Sequence, residues 1–139
     1  MRQRLTLITL GVKDVRRARA FYEGLGWKPS EQSMEDYVLF PLGGIVLGLY
    51  PLQELEVDTT LTHQPTTFSG MTLSYNAVSE EEVDAVMQEA ERLGAVVVKP
   101  AGRVFWGGYD GYFRDLDGYV IEVAHNPHWH LDADGHLAL

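Results

Sequence analysis

YFRDLDGYVIEVAHNP, residues Tyr112–Pro127, sets one carboxylate, Glu122, inside a strand that is otherwise apolar. Asp117–Gly118 is a strong hairpin-turn signal ahead of that strand. Alternation puts Val120, Glu122 and Ala124 on one face and Ile121 and Val123 on the other. If Ile121 and Val123 pack on a helix, Glu122 points away from it, into a cavity. An earlier stretch repeats the pattern without the carboxylate. With GGIVLGLYP (Gly43–Pro51) laid over DGYVIEVAH (Asp117–His125), Gly44 meets Gly118, Val46 meets Val120 and Gly48 meets Glu122. The same offset puts Leu42 on Leu116. A second echo links LTLITLGV (Leu5–Val12) to MTLSYNAV (Met71–Val78), each followed by an acidic helix start. The chain reads as a duplicated unit whose halves diverge where chemistry would sit.

Working outward, the elements fall in the same order in both halves. Residues 5–12 alternate, with Ile8, Leu10 and Val12 on one face. Asp14 caps a helix whose apolar positions are Val15, Ala18, Phe21 or Tyr22, and Leu25, ended by Gly24 and Gly26. Strands are expected near Lys28–Gln32, Asp36–Leu42 and Ile45–Tyr50. Residues 51–68 carry two prolines and read as a linker holding one helical turn. The second half starts with a strand at Met71–Val78, then a capping box at Ser79 and Glu82. Val83, Val86, Met87, Ala90 and Leu93 form the buried stripe of the next helix, which Gly94 ends. Strands follow near Ala95–Lys99, Tyr109–Arg114 and Tyr119–His125. The expected fold is α+β, βαβββ twice. It makes one domain of modules 5–50 and 69–125 joined by the linker 51–68, with a polar, histidine-rich tail over 126–139.

The chain has 139 residues, 45% of them hydrophobic, enough for a core. No apolar run approaches the roughly 18 residues of a membrane span. MRQRLTLITL reads as a first strand and not as a signal peptide. There is no cysteine, which removes disulfides, thiolate nucleophiles and cysteine–zinc sites and fits a cytoplasmic protein. A net charge of −9 disfavours nucleic acid and anionic membranes as partners. A small molecule or another protein remains.

V-x-D after the first strand, FYE-x-LGW in the helix and D-x-DGY-x-IE at the close of the second unit resemble the vicinal oxygen chelate superfamily. That group holds glyoxalase I, bleomycin- and fosfomycin-resistance proteins and extradiol dioxygenases. The matching residues are Val12, Asp14, Phe21–Glu23, Leu25–Trp27, Asp115, Asp117–Tyr119 and Ile121–Glu122, and the resemblance spans roughly residues 5–125. It implies two βαβββ modules whose curved sheets enclose a pocket, commonly with a divalent metal at its floor, and a homodimer. Its metal ligands would fall on Leu7, Gly48, a residue within Met71–Leu73, and Glu122. Only Glu122 can serve, whereas a catalytic site typically uses about three protein ligands. A divalent metal is therefore disfavoured and no cofactor is expected.

Desolvation at Glu122 would favour its neutral form and suit it to acid–base work. Contact with a ligand is a second role, and pairing with Arg103 or Arg114 a third, without function. FWGGYDGY (Phe105–Tyr112) offers aromatic faces on a flexible backbone, so Trp106, Tyr109 and Tyr112 are candidates for a ligand wall. The alternative is a glycine-bulged strand whose rings pack in the core. Tyr37, Tyr50 and Tyr75 are further candidates, with a place in the core or rim as the alternative, and Tyr75 joins the binding set. Arg103 could neutralise an acidic substrate or form an exposed ion pair. Asp110 is a polar candidate beside the aromatic patch, although a turn role at Asp110–Gly111 is the stronger reading. His125, His128, His130 and His136, with Asp132 and Asp134, match no finger spacing, although imidazole favours zinc or nickel.

Two classes compete on these residues. One is a metal-free enzyme of glyoxalase or dioxygenase type acting on a small oxygenated molecule, with Glu122 as acid–base residue. The other is a non-catalytic protein that sequesters a small ligand, as bleomycin-resistance relatives do. A metal-dependent lyase or dioxygenase stands third.

Overall fold

The structure is a computed structural model and describes residues 1–138. The chain divides into two compact units, Met1–Thr67 and the residues from Phe68 onward, so the boundary falls at the end of the linker.

In the first unit β1 (Leu7–Val12) leads into α1 (Val15–Gly24), followed by β2 (Val38–Pro41), β3 (Val46–Pro51) and α2 (Leu52–Thr59). The sheet order is β1-β3-β2, with β1 parallel and β2 antiparallel to β3. Asp14 starts α1, its Oδ1 accepting the Arg17 amide at 3.0 Å. The apolar stripe of α1 buries Val15, Ala18, Phe21 and Tyr22. The tyrosine and tryptophan of the FYE-x-LGW motif are packing residues. Tyr22 stacks on Trp27 at 5.0 Å between ring centroids, and both rings contact Phe40.

The strand expected over Lys28–Gln32 does not form. Pro29 has no amide to donate, and the segment holds on to β2 through isolated bonds. The Ser30 amide donates to the Leu39 carbonyl at 2.7 Å, and the Ser33 hydroxyl accepts the Leu39 amide at 3.0 Å. The linker in turn holds a helix of eight residues, more than one turn. That helix packs on β1 because position 11 is glycine: a Cβ there would lie 2.8 Å from Leu52 Cδ1.

The second unit runs β4 (Leu73–Asn76), α3 (Glu80–Arg92), β5 (Val96–Arg103), β6 (Tyr109–Arg114) and β7 (Val120–His125). Its sheet order is β4-β7-β6-β5, with β4 parallel to β7. Ser79 caps α3, accepting the Glu82 amide at 3.2 Å, while the Glu82 carboxylate reaches back to the Val78 amide at 2.7 Å. Val83, Met87 and Ala90 bury the stripe of α3 against a sheet face that includes Phe113 and Val123. Pro100 lies in the edge strand β5, where the ladder with β6 slips between Lys99 and Gly102. The D-x-DGY motif is a turn: buried Asp115 accepts the amides of Asp117 and Tyr119 at 3.0 and 2.9 Å.

The strand registers correct the repeat by one residue. Thr9 pairs with Gly48 and Ser74 pairs with Glu122, so Thr9 corresponds to Ser74 and not to Tyr75. The two helix caps agree, since Asp14 then corresponds to Ser79. The tail is a small hairpin of β8 (His130–Leu131) and β9 (Leu137–Ala138). Among the described residues, no helix is long and apolar enough to cross a membrane.

Candidate active site

A row of four side chains crosses the second sheet. Ser74 on β4 sits opposite Glu122 on β7, Glu122 opposite Tyr112 on β6, and Tyr112 opposite Lys99 on β5. Side chains opposite one another in adjacent strands share a face, about 5 Å apart. Their face is the one turned away from α3. Ile121 and Val123 are buried, and the other face of β6 meets the helix at Gly111, where a Cβ would come within 3.0 Å of Met87 Cε.

Glu122 is half-buried, and both of its oxygens accept hydrogen bonds. The Ser74 hydroxyl donates to Oε2 at 2.7 Å, and the Tyr112 hydroxyl donates to Oε1. A carboxylate has about four lone-pair sites, so two remain for a substrate proton. Burial, then the Glu122 carboxylate, push the Tyr112 phenol well above its ordinary range. Tyr112 is therefore a hydrogen-bond donor at neutral pH. Lys99 extends the row, its ammonium 5.5 Å from the centroid of the Tyr112 ring and paired with the Asp110 carboxylate. Asp110 lies inside β6 with its side chain 4% exposed, so the turn role read from Asp110–Gly111 is wrong.

Of the residues singled out in the sequence, the structure brings Tyr112 to Glu122. Tyr75, Tyr109 and Arg103 gather elsewhere, at the acidic start of α3. The Tyr75 hydroxyl donates to Glu82, Tyr109 donates to Asp84 at 2.8 Å, and Arg103 pairs with Glu80 at 3.4 Å. Tyr75 and Tyr109 lie on the sheet face opposite Glu122. Trp106 lies in the β5–β6 turn, half-buried and folded over Gly108, where a Cβ would sit 1.6 Å from its ring. Sequence reading missed Ser74 and Lys99. The signal for Ser74 was present, as a hydroxyl residue in the strand that pairs with β7, but a one-residue error in the repeat hid its register.

The first unit answers Glu122 with Gly48, and the space is filled. A Cβ on Gly48 would come within 2.9 Å of Tyr37 Cε2 and 3.4 Å of Leu7 Cδ1. Tyr37 is in turn held edge-on by Tyr50, with centroids 5.2 Å apart. At the positions where the family resemblance implies metal ligands, the chain has Leu7, Gly48, Thr72 by the corrected register, and Glu122. One carboxylate, already engaged by two hydroxyls, does not fit a catalytic divalent ion. Among the described residues, one group of three metal-type donors occurs: Asp132, Asp134 and His136, exposed in the tail hairpin with donor atoms within 4.8 Å. The Asp132 carboxylate there closes a turn, accepting the amides of Asp134 and His136, both at 2.9 Å.

These motifs and this topology agree with the comparisons. A glyoxalase-related enzyme from Fulvimarina pelagi is similar in structure, with a TM-score of 0.89 and 32% identity over 99% of this chain and 98% of that one. A lactoylglutathione lyase from Agrobacterium tumefaciens is similar with a TM-score of 0.64 and 25% identity, covering 89% and 94% of the two chains. A glyoxalase/bleomycin resistance protein/dioxygenase family enzyme from Burkholderia phytofirmans shares the fold at 17% identity, with a TM-score of 0.77 over 86% and 96%. No curated protein matches the sequence. The family model for glyoxalase, bleomycin resistance protein and dioxygenase matches residues 4–123, most of both units. The chain belongs to the Glyoxalase/Bleomycin resistance protein/Dioxygenase superfamily.

Proposed function

We propose that this protein converts a small oxygenated molecule without a resident divalent metal, with Glu122 as the general base. One observation carries the reading: a carboxylate on the sheet face turned away from α3, its two oxygens each held by a hydroxyl donor. Ser74 and Tyr112 fix the rotamer of Glu122 and leave lone pairs for a substrate C–H next to a carbonyl. In the step, that C–H bond breaks and its proton passes to the carboxylate. The electron pair delocalises onto the carbonyl oxygen, and the proton returns at a neighbouring carbon or oxygen. Positioned general bases contribute typically 10²–10⁴-fold.

The test uses hydroxyacetone and lactoylglutathione as probes in deuterium oxide, with loss of the α-proton signal followed by NMR. Wild-type protein is expected to exchange deuterium into at least one probe faster than buffer does. Glu122→Gln is expected to reduce that rate by about 10²–10⁴-fold. Exchange that survives in Glu122→Gln would remove the carboxylate from the mechanism. Treatment with a chelator is expected to leave the rate unchanged, and a rate that falls and returns with one zinc or nickel ion per subunit would restore the metalloenzyme class.

Sequestration of a small ligand is the second reading. It is favoured by the same donor set, which can serve as a hydrogen-bonding floor without turnover. In that case no probe exchanges deuterium and Glu122→Gln changes only affinity. The protein is further proposed to act in the cytoplasm as a homodimer, which native mass spectrometry would register as twice the subunit mass.

A further inference from the structure

The tail does more than trail behind the second unit. It folds back so that Trp129 and Leu131 face the ends of β4 and β7, closing a cleft of about 190 Å³ lined also by Asn76, Ala77, Val78, His125 and Asn126. Asn76 follows Ser74 on the same sheet face, one pleat repeat and about 7 Å further along the strand. Four of these seven residues lie beyond residue 123, where the family match ends. Three of them, Ala77, Val78 and Leu131, are aliphatic, and the others carry uncharged polar or aromatic groups. The lining has two side-chain amides, one imidazole and one indole, and neither a carboxylate nor a cation of Lys or Arg. His125 Nδ1 lies 3.1 Å from the Ala77 carbonyl oxygen. A carbonyl only accepts, so Nδ1 carries a proton.

We propose that this cleft is a binding subsite for an uncharged single-ring group bearing a carboxamide or an equivalent donor–acceptor pair. Trp129 is half exposed and supplies a flat wall for the ring. The amides of Asn76 and Asn126 can match a donor and an acceptor at once, which a purely apolar ring would leave unpaired. The volume lies below the roughly 300–1,000 Å³ of drug-sized sites, which limits the occupant to a single ring. Charge selects in the same direction. With no cation in the lining and a net charge of −9 on the chain, a carboxylate on the ring is disfavoured. The inference stands apart from the role of Glu122, because its readout is binding and not turnover.

The test is an NMR titration of the full-length, uniformly ¹⁵N-labelled protein with benzamide as the probe, then with benzoate. Benzamide is expected to shift the Trp129 indole and the Asn76 and Asn126 side-chain amides saturably. Benzoate is expected to bind about tenfold more weakly. Trp129→Ala should weaken benzamide about tenfold, the scale of one lost aromatic contact. Asn76→Asp, nearly isosteric, should weaken it about fivefold and serves if the tail of Trp129→Ala proves disordered. The proposal is overturned if benzamide produces no saturable shift at these residues, if both variants bind it like wild type, or if benzoate binds as tightly as benzamide.

Discussion

At Gly48 the ring of Tyr37 has taken the room that a side chain would need. An added methyl group in such a place forces off-rotamer neighbours, so Gly48→Ala is expected to lower the unfolding free energy by about 1–3 kcal/mol in urea titration. Combining it with Tyr37→Ala should cost less than the sum of the two single changes, because the clash is then gone. Additive costs would show that the ring is not what fills the site. A second residue-scale prediction concerns Tyr75, whose phenol is pushed up to about 12 by burial and by its hydrogen bond to Glu82. The stabilisation from its protonated form is fully present below pH 10, the ordinary value, and is lost as the pH rises through about 12. Tyr75→Phe should therefore flatten part of the fall in stability between pH 10 and 12, measured by chemical denaturation. An unchanged slope would assign that fall to other groups. Glu122 itself was legible from sequence, because a lone carboxylate among Val120, Ile121 and Val123 stands out. Its donors were not, because strand pairing is a long-range property that no local pattern encodes.

Among the elements, the helices were the most readable. Asp14 and Ser79 announce their helices through side-chain oxygens, and the periodic apolar positions do the rest. Ser79→Ala is expected to cost about 1 kcal/mol, with Ser79→Gly costing less, by thermal or urea unfolding. Equal stability of Ser79→Ala and wild type would mean that the Glu82 carboxylate on the Val78 amide carries the start of α3 alone. Strands were less readable. The Lys28–Gln32 segment has strand-like neighbours, yet Pro29 denies it a donor and Ser33 replaces a ladder bond with a hydroxyl. The slip of β5 near Pro100 has the same origin and was equally invisible in a pattern of apolar residues. The helix over Leu52–Thr59 went unread beyond a single turn because little of it is buried and its fit to β1 depends on a glycine forty-one residues earlier.

For the whole molecule, duplication was the feature that sequence carried best. Two parallel first-to-last strand pairings, β1 with β3 and β4 with β7, repeat in the two units. What diverged is the filling of one position in each, a ring over Gly48 and a carboxylate between two hydroxyls. The tail was read only as polar and histidine-rich, and it proved to be a hairpin with a cleft at its base. The histidines drew attention there, whereas Trp129 did not. Removing the residues after Asn126 should abolish benzamide binding while leaving the cooperative unfolding of the rest intact, read by circular dichroism. Loss of cooperativity would instead make the hairpin part of the core of the second unit.

The occupied seat at Gly48 also constrains the paths by which this sequence can change. A carboxylate or histidine placed there has to push aside the far end of the Tyr37 ring, since a Cβ would lie 2.9 Å from its Cε2. Displacing that ring disturbs its edge-on contact with Tyr50 before any new function exists. In the landscape of single substitutions, any side chain at position 48 thus starts with a steric handicap that its glycine avoids.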